Sequence, residues 1–435
     1  MDSVLKTVIM AGGKGSRVAS IARDIPKPMI SVGGKPILEH QIDCLKRNKL
    51  TDIILVVGHL GQHIKDHFGD GKSFGCNITY YTETEPLGTA GALYKLDGLS
   101  GDFILINGDL IFDIDFTRMI SFHQEKEALA SLAVHPNDHP FDSALISCNG
   151  NCQLIEWLNK EDKRTYYRNL VNAGVHILSK EFLKNKSQEK EKIDLDRDIL
   201  KPSISEGRIF AYITPEYIKD MGTPERYAEV STAIEKGIVK SKNLGLKQRA
   251  VFLDRDGTIN TENGFVKSLE DFTLIDGAAE AIKKINAQGY LAIVITNQPV
   301  IARGDLDFET LDLIHMKMET LLGMEGAFID DLFFCPHHPD KGFPGERPEF
   351  KIDCDCRKPK PGMILRAAEK YNVDLSKSYM AGDDQRDVKA GINAGCIPVF
   401  LTEEDQEKND RVLTFKSLMD FTNYLFPETD KTINQ

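Results

Sequence analysis

A chain of 435 residues that is 41% hydrophobic and 28% charged has the make-up of a globular protein of two or three domains, not of a fibrous, disordered or disulfide-framed one. A net charge of −12 argues against a broad basic face, so no nucleic-acid partner is expected, although a few local cations can still hold phosphate. No apolar run approaches the roughly 18 residues that span a bilayer, and the opening MDSVLKTVIMAGGKG reads as a strand entering a glycine loop, not a signal peptide; a cytoplasmic protein without a membrane partner is expected.

Short apolar runs at Val8–Met10, Ile53–Val57 and Phe103–Ile106, and again at Val251–Leu253 and Leu291–Ile295, alternate with helical stretches. Such runs between turn signals fit strands buried on both faces, the pattern of a parallel sheet covered by helices. The weakly patterned stretch EKGIVKSKNLGLKQR holds a linker at about residues 238–248, which predicts one domain over 1–238 and another over 249–435. The polar tail after Pro427 reads as frayed. Cys148 and Cys152 flank Asn149-Gly150-Asn151, a hairpin turn, and read as free cysteines.

The first strand runs into Ala11-Gly12-Gly13-Lys14-Gly15-Ser16-Arg17, where backbone N–H groups can approach a phosphate because no Cβ intervenes. The spacing matches neither a Walker A loop nor G-x-G-x-x-G, since Val18 stands where a third glycine would be. Arg17 and then Pro26-Lys27-Pro28, with Lys27 stiffened between two prolines, add fixed cations, and phosphoryl transfer is mostly positioning and charge neutralisation.

These residues resemble the signature of the NDP-sugar pyrophosphorylase family, nucleotidyltransferases on a doubly wound, Rossmann-like α/β fold. Later motifs follow the family's order. Glu85–Gly91, with Gly88 and Thr89, resembles the loop that holds nucleobase and ribose, after the phosphate-binding Gly12, Gly13 and Gly15. Asn107-Gly108-Asp109 resembles the substrate- and metal-binding strand end, Asn172-Ala173-Gly174 the sugar-contacting turn, and Asp220-Met221-Gly222-Thr223-Pro224 the late D-x-G-T-P motif. The resemblance implies one Mg²⁺ shared by Asp109 and Asp220, with Lys27 on the attacking or α-phosphate and Arg17 on the departing phosphates. Ser20 and Ala22 stand where the family usually has Pro and Thr, and Lys160 or Lys163 is the candidate for the sugar-phosphate lysine.

A second motif set opens at Val251-Phe252-Leu253-Asp254-Arg255-Asp256-Gly257-Thr258. Residues i and i+2 of a strand point the same way, so Asp254 and Asp256 can face one site at the carboxyl end of a sheet. Thr296-Asn297, Arg357-Lys358-Pro359 and Gly382-Asp383 follow, an order that resembles the haloacid dehalogenase superfamily. The resemblance implies that Asp254 attacks a phosphomonoester, Asp256 carries the proton, Thr296, Asn297 and Lys358 bind substrate, and Asp383 completes a Mg²⁺ site with Asp254 and the Asp256 carbonyl.

Cys335-Pro336-His337-His338 and Cys354-Asp355-Cys356 supply three thiolates and an imidazole. Cys335, His337, Cys354 and Cys356 make a closed tetrahedral set suited to structural Zn²⁺, with His338 the less favoured substitute. A zinc loop narrows the resemblance to heptose-1,7-bisphosphate and histidinol-phosphate phosphatases, and CPHHPD, CDCRKPKPGM and TNQ-x-x-IARG favour the former. Arg303 and Arg357 would then contact substrate, Arg357 at the distal phosphate; Pro299-Val300 depart from the usual Ser-Gly. In the N-terminal half, IPKPM followed by GGKPILEHQI most resembles the heptose-1-phosphate guanylyltransferases. The joint expectation is a two-activity enzyme of GDP-heptose synthesis whose partners are a nucleoside triphosphate, GTP for this branch, and heptose phosphates. A histidinol-phosphate-type phosphatase joined to another sugar nucleotidyltransferase, and a non-catalytic nucleotide-sugar sensor, are the rival readings. Base choice and oligomeric state, a homo-oligomer included, stay open.

Overall fold

The computed structural model describes residues 5–12, 24–184, 186, 192–262, 264–404 and 410–427. The chain divides into two compact units, one of Met1–His135, Ile146–Leu158 and Leu170–Asn243, the other of Pro136–Leu145, Asn159–Asn169 and Leu244–Gln435. Nothing in the sequence marks the two short excursions into the second unit. Among the described residues, no helix is long and apolar enough to cross a membrane.

The first unit carries β1 (Lys6–Met10), β2 (Asp52–Val57), β3 (Asn77–Thr82), β4 (Asp102–Asn107), β5 (Leu110–Asp113), β6 (Ala130–His135), β7 (Leu145–Cys148), β8 (Leu154–Leu158), β9 (Val171–Ser179), β10 (Ile209–Ile213) and β11 (Tyr217–Asp220). Nine of these strands form one sheet with the path β8-β7-β9-β4-β1-β2-β3, β6 joining β9 and β10 joining β6. β1 lies parallel to β2 and β4. Val8, Ile9, Ile53, Ile104 and Ile106 are all fully buried, as the apolar runs require of central strands. The chain leaves β1 toward β2 and β3, then returns to β4 on the other side. Strand order therefore reverses between β1 and β4, and the carboxyl ends of strands at such a reversal are where these sheets bind ligands. The separate β5·β11 ribbon sets Leu110 opposite Asp220.

In the second unit β12 (Ala250–Leu253), β13 (Leu291–Asn297), β14 (Asp331–Cys335), β15 (Tyr379–Gly382), β16 (Ile397–Leu401) and β17 (Leu413–Phe415) run β14-β13-β12-β15-β16-β17, all parallel. Alternate residues feed two cores. Val251, Leu253, Ala292 and Val294 meet α5 (Ala278–Ala287), α6 (Phe308–Met324) and α9 (Leu418–Leu425) on one face. Ala250, Phe252, Leu291 and Ile293 meet α7 (Gly362–Tyr371) and α8 (Gln385–Ala394) on the other. The first unit's longer helices are α1 (Ile37–Arg47), α2 (Gly61–Phe68), α3 (Phe116–Glu125) and α4 (Pro224–Glu235). Both units are thus doubly wound, mostly parallel α/β folds, and β12/β15 is the second switch point.

One buried side chain in the first sheet sets a pH limit. His176 in β9 is 2% exposed; its Nε2 donates to Asn172 Oδ1 at 3.0 Å and its Nδ1 has no partner. Burial pushes its pKa down to about 4. The neutral ring is favoured by folding, so its contribution is present above the unfolded value of about 6.5 and is lost as pH falls toward 4. At about pH 4.5 the loss is roughly 2.5 kcal/mol. Urea unfolding of His176→Gln should show a smaller drop between pH 7 and pH 4.5 than the parent chain.

Candidate active sites

In the first unit Gly12 follows β1, and Asn107 and Asp109 lie at the end of β4. A Cβ on Gly12 would lie 2.7 Å from Glu83 Oε2 and 3.3 Å from Gly58 N, so a larger residue would have to displace the Glu83 carboxylate. Gly13, Gly15 and Arg17, with Ser20 and Ala22, lie outside the described residues. Lys27 donates to the Asp109 carboxylate. Its charge also helps hold Asp220 low: burial would raise that carboxyl, but Arg226, at 2.6 and 2.8 Å, with Lys27 keeps it below the usual range. Asp109 and Asp220 sit side by side because Met221 N donates to Asp109 O at 2.9 Å. Each is already faced by a cation. A shared ion would therefore compete with Lys27 and Arg226 unless substrate phosphates drew those cations away.

Asn107 and Gly174 also meet. Gly174 has φ +74°, and a Cβ there would stand 2.5 Å from Asn107 Nδ2. Gly88 has φ +84°, and a Cβ would collide with Ile193 O at 2.4 Å. Thr89 Oγ1 accepts from Leu195 N at 2.7 Å and donates to Asp194 at 3.3 Å, so this hydroxyl pins its loop to residues 193–195. Gln41, which the sequence reading passed over, is fully buried and its Nε2 donates to Asn107 O at 3.0 Å and Leu110 O at 2.8 Å, fixing the turn that presents Asp109.

In the second unit Asp254 follows β12, Thr296 and Asn297 end β13, and Asp383 follows β15, all at the carboxyl edge. The loops interlock: a Cβ on Gly257 would lie 1.9 Å from Asp383 Oδ2. Lys358 is 3% exposed and forms ion pairs with Asp254 Oδ1 at 2.8 Å and Asp387 Oδ1 at 2.6 Å. Both contacts are short ion pairs between a buried ammonium and carboxylate oxygens. One ammonium thus partly balances two carboxylates. Asn297 exchanges two hydrogen bonds with the Lys358 backbone, at 3.0 and 3.1 Å, and so positions that ammonium. Thr296 is fully buried, and its Oγ1 accepts from Gln298 Nε2 at 2.9 Å.

Ligand oxygens of Asp254, Asp383 and Asp387 lie within 4.8 Å of one another. Burial and then the Asp387 charge push Asp254 up to about 7; burial and then the Asp254 charge do the same to Asp383. Three crowded carboxylates against one lysine are short of positive charge, and an all-oxygen set suits a hard dication such as Mg²⁺. Asp387 was not picked out in the sequence, though its place four residues after Asp383, one helical turn into α8, was the available signal. Asp256 differs. Burial would raise it, but the Arg255 charge and bonds from Arg255, Asn260 and Gln298 hold it below the usual range. Arg357 Nη1 donates to His337 O at 3.2 Å, and the Arg303 guanidinium lies over Phe265 and Phe343, 4.4 and 4.6 Å from the ring centres.

Cys335, His337, Cys354 and Cys356 converge. Their sulfurs stand 3.2 to 3.5 Å apart and His337 Nδ1 is 3.3 Å from Cys356 Sγ, with every cysteine free. His338 lies outside this group, its Nδ1 accepting from Asp340 N at 3.2 Å.

The nucleotidyl transferase family model matches residues 6–237, more than half of the chain, and a HAD-hydrolase-like model matches 355–417. The D-glycero-beta-D-manno-heptose-1,7-bisphosphate 7-phosphatase of Pasteurella multocida is 42% identical over 148 residues, 34% of this chain and 77% of that protein. The chain belongs to the nucleotidyl transferase family, and its C-terminal part to that phosphatase family. The Haemophilus ducreyi phosphatase of the same name is 37% identical over 186 residues, 41% of this chain and 98% of its own. Among solved structures, HddC from Yersinia pseudotuberculosis complexed with GMP-PN is 26% identical, with a TM-score of 0.45, covering 53% of this chain and 99% of that one. Nucleotidyl transferase and phosphatase parts thus share one polypeptide, each with acidic and basic side chains gathered at a sheet edge.

Proposed function

We propose that the chain removes the 7-phosphate of D-glycero-D-manno-heptose 1,7-bisphosphate and transfers GMP from GTP to the resulting heptose 1-phosphate, releasing pyrophosphate. The observation that carries this reading is the buried Asp254–Lys358–Asp387 cluster in a phosphatase-family part that shares its chain with a nucleotidyl transferase. In the phosphatase reaction an Asp254 oxygen attacks phosphorus and the bond to the sugar oxygen breaks. Asp256 protonates that oxygen, then takes a proton from the water that releases phosphate from Asp254. Lys358, Thr296 and Asn297 position the phosphoryl group, and Arg303 and Arg357 face the rest of the substrate. Asp254, Asp383, Asp387 and the Asp256 carbonyl would hold Mg²⁺, which supplies charge neutralisation at the phosphoryl oxygens. The four-residue cysteine–histidine group would hold structural Zn²⁺.

In the first unit the sugar-phosphate oxygen attacks the α-phosphorus in line. Lys27 and Arg17 offset the charge, Gly12, Gly13, Gly15, Gly88 and Thr89 line the nucleotide, and Asp109 with Asp220 would hold the second Mg²⁺. Guanine is favoured by the resemblance of IPKPM and GGKPILEHQI alone. The two working parts are placed at residues 1–238 and 249–435.

With heptose 1,7-bisphosphate, GTP and Mg²⁺, the pure protein should release phosphate and pyrophosphate and form a GDP-sugar. Turnover of histidinol phosphate but not of the bisphosphate would overturn the phosphatase half. Pyrophosphate release with UTP or TTP but not GTP would overturn the guanylyl half.

A further inference from the structure

Arg255, between the two aspartates, is the largest fully buried side chain of the described residues. Its guanidinium clamps Asp256: Nη2 donates to Oδ1 at 2.7 Å and Oδ2 at 3.0 Å, and Nε donates to Oδ1 at 3.1 Å. Asn260 Nδ2 at 3.0 Å and Gln298 Nε2 at 2.8 Å complete a cage of N–H donors. The clamp is itself anchored. Arg255 Nη1 donates to His315 Nε2 at 3.2 Å, and His315 is 1% exposed on α6. Burial, then the Arg255 charge, keeps His315 neutral, so its Nε2 can accept while its Nδ1 carries the hydrogen. A guanidinium presents its donors in a rigid planar fork, and a carboxylate held by one has little rotational freedom.

We propose that Arg255, anchored by His315, is a positioning residue that fixes the Asp256 carboxyl for proton transfer at the phosphoryl-transfer site. This rests on the reading of Asp256 as the proton carrier. A positioned general acid or base contributes about 10² to 10⁴ in rate. That contribution matters most where the leaving oxygen is a poor leaving group. A sugar alkoxide needs a proton as its bond to phosphorus breaks; p-nitrophenolate departs without one.

The test compares the first chemical step, release of the sugar or of p-nitrophenol in a single rapid-quench turnover of heptose 1,7-bisphosphate or p-nitrophenyl phosphate by the full chain. The first step is the one that discriminates, because the later attack of water needs Asp256 with either substrate. Nucleotidyl transfer and the thermal unfolding midpoint check folding. Arg255→Gln should lower that first-step rate about 100-fold on the sugar substrate, yet by less than about tenfold on p-nitrophenyl phosphate. His315→Asn leaves the clamp in place and cuts only its anchor. It should show the same bias to a smaller degree, and it decides the matter if Arg255→Gln does not fold. Equal losses on both substrates would mark a merely structural role and overturn the inference, as would no loss on either. Asp256→Asn serves as the reference. If it shows the bias and neither Arg255 nor His315 variants do, the positioning role fails alone. If it loses both substrates equally, the proton-carrier reading fails first.

Discussion

Asp254→Asn lowers phosphatase turnover by at least about 10³-fold, while pyrophosphate release by the same preparation stays within about twofold. The carboxamide keeps the shape of the side chain and an oxygen that can accept from Arg255 N, now 2.7 Å from Asp254 Oδ1. What it loses is the anionic oxygen that the proposed reaction bonds to phosphorus. A loss of 10³ is about 4 kcal/mol of barrier. The fold should not suffer, because the wild-type charge is the unfavourable element: burial and the neighbouring Asp387 push Asp254 up to about 7, and Asn removes that penalty. Lys358 keeps Asp387 as its counter-ion at 2.6 Å. Phosphate release, pyrophosphate release and thermal unfolding measured on one preparation check all three statements. A variant that lost both activities while still folded would end the assignment of separate sites to the two units.

The strands and their order of use were legible because parallel, doubly covered strands write themselves as apolar runs, and because glycines and aspartates just past Met10, Asn107, Leu253 and Gly382 mark where those runs end at the ligand edge. Less legible were residues whose role depends on a side chain reaching across the fold. Arg255 stands one position out of phase with the two aspartates, so a strand reading would turn it away from them; the strand ends at Leu253, and the guanidinium bonds the Asp256 carboxylate. Gln298 and His315 reach the same carboxylate from 42 residues along the chain and, through Arg255, from 60. Asp387 reads locally as the partner of Asp384 in a capping box of α8, and that box is present. Its second contact, with Lys358, is tertiary and leaves no local mark. Thr89 shows the converse. The motif points to a nucleotide contact, whereas its hydroxyl is committed to Leu195 N and Asp194 within its own unit.

Cys356→Ser should abolish zinc binding at the proposed four-residue site and take the phosphatase down by at least about 10²-fold, even with Mg²⁺ in excess. The reason lies in the chain's wiring. Cys356 is followed at once by Arg357 and Lys358, so a metal held by the four-residue group would anchor the residue proposed to face the substrate and the lysine that pairs with the Asp254 carboxylate. Arg357 is tied back to the same group through His337 O, at 3.2 Å. The segment between Cys335 and Cys354 contributes few buried apolar side chains, Lys351 and His338 being among its buried residues, so its shape depends on the cross-link. Sulfurs 3.2 to 3.5 Å apart sit slightly inside the roughly 3.8 Å of a tetrahedral zinc–thiolate set. Burial raises Cys335 and Cys356 as thiols, so without a dication these groups stay protonated and give the loop only weak contacts. Elemental analysis should give one zinc per wild-type chain and less than about a tenth of that in the variant, with pyrophosphate release preserved. Zinc-free protein that kept full phosphatase activity would show that the cysteines hold the loop by packing alone.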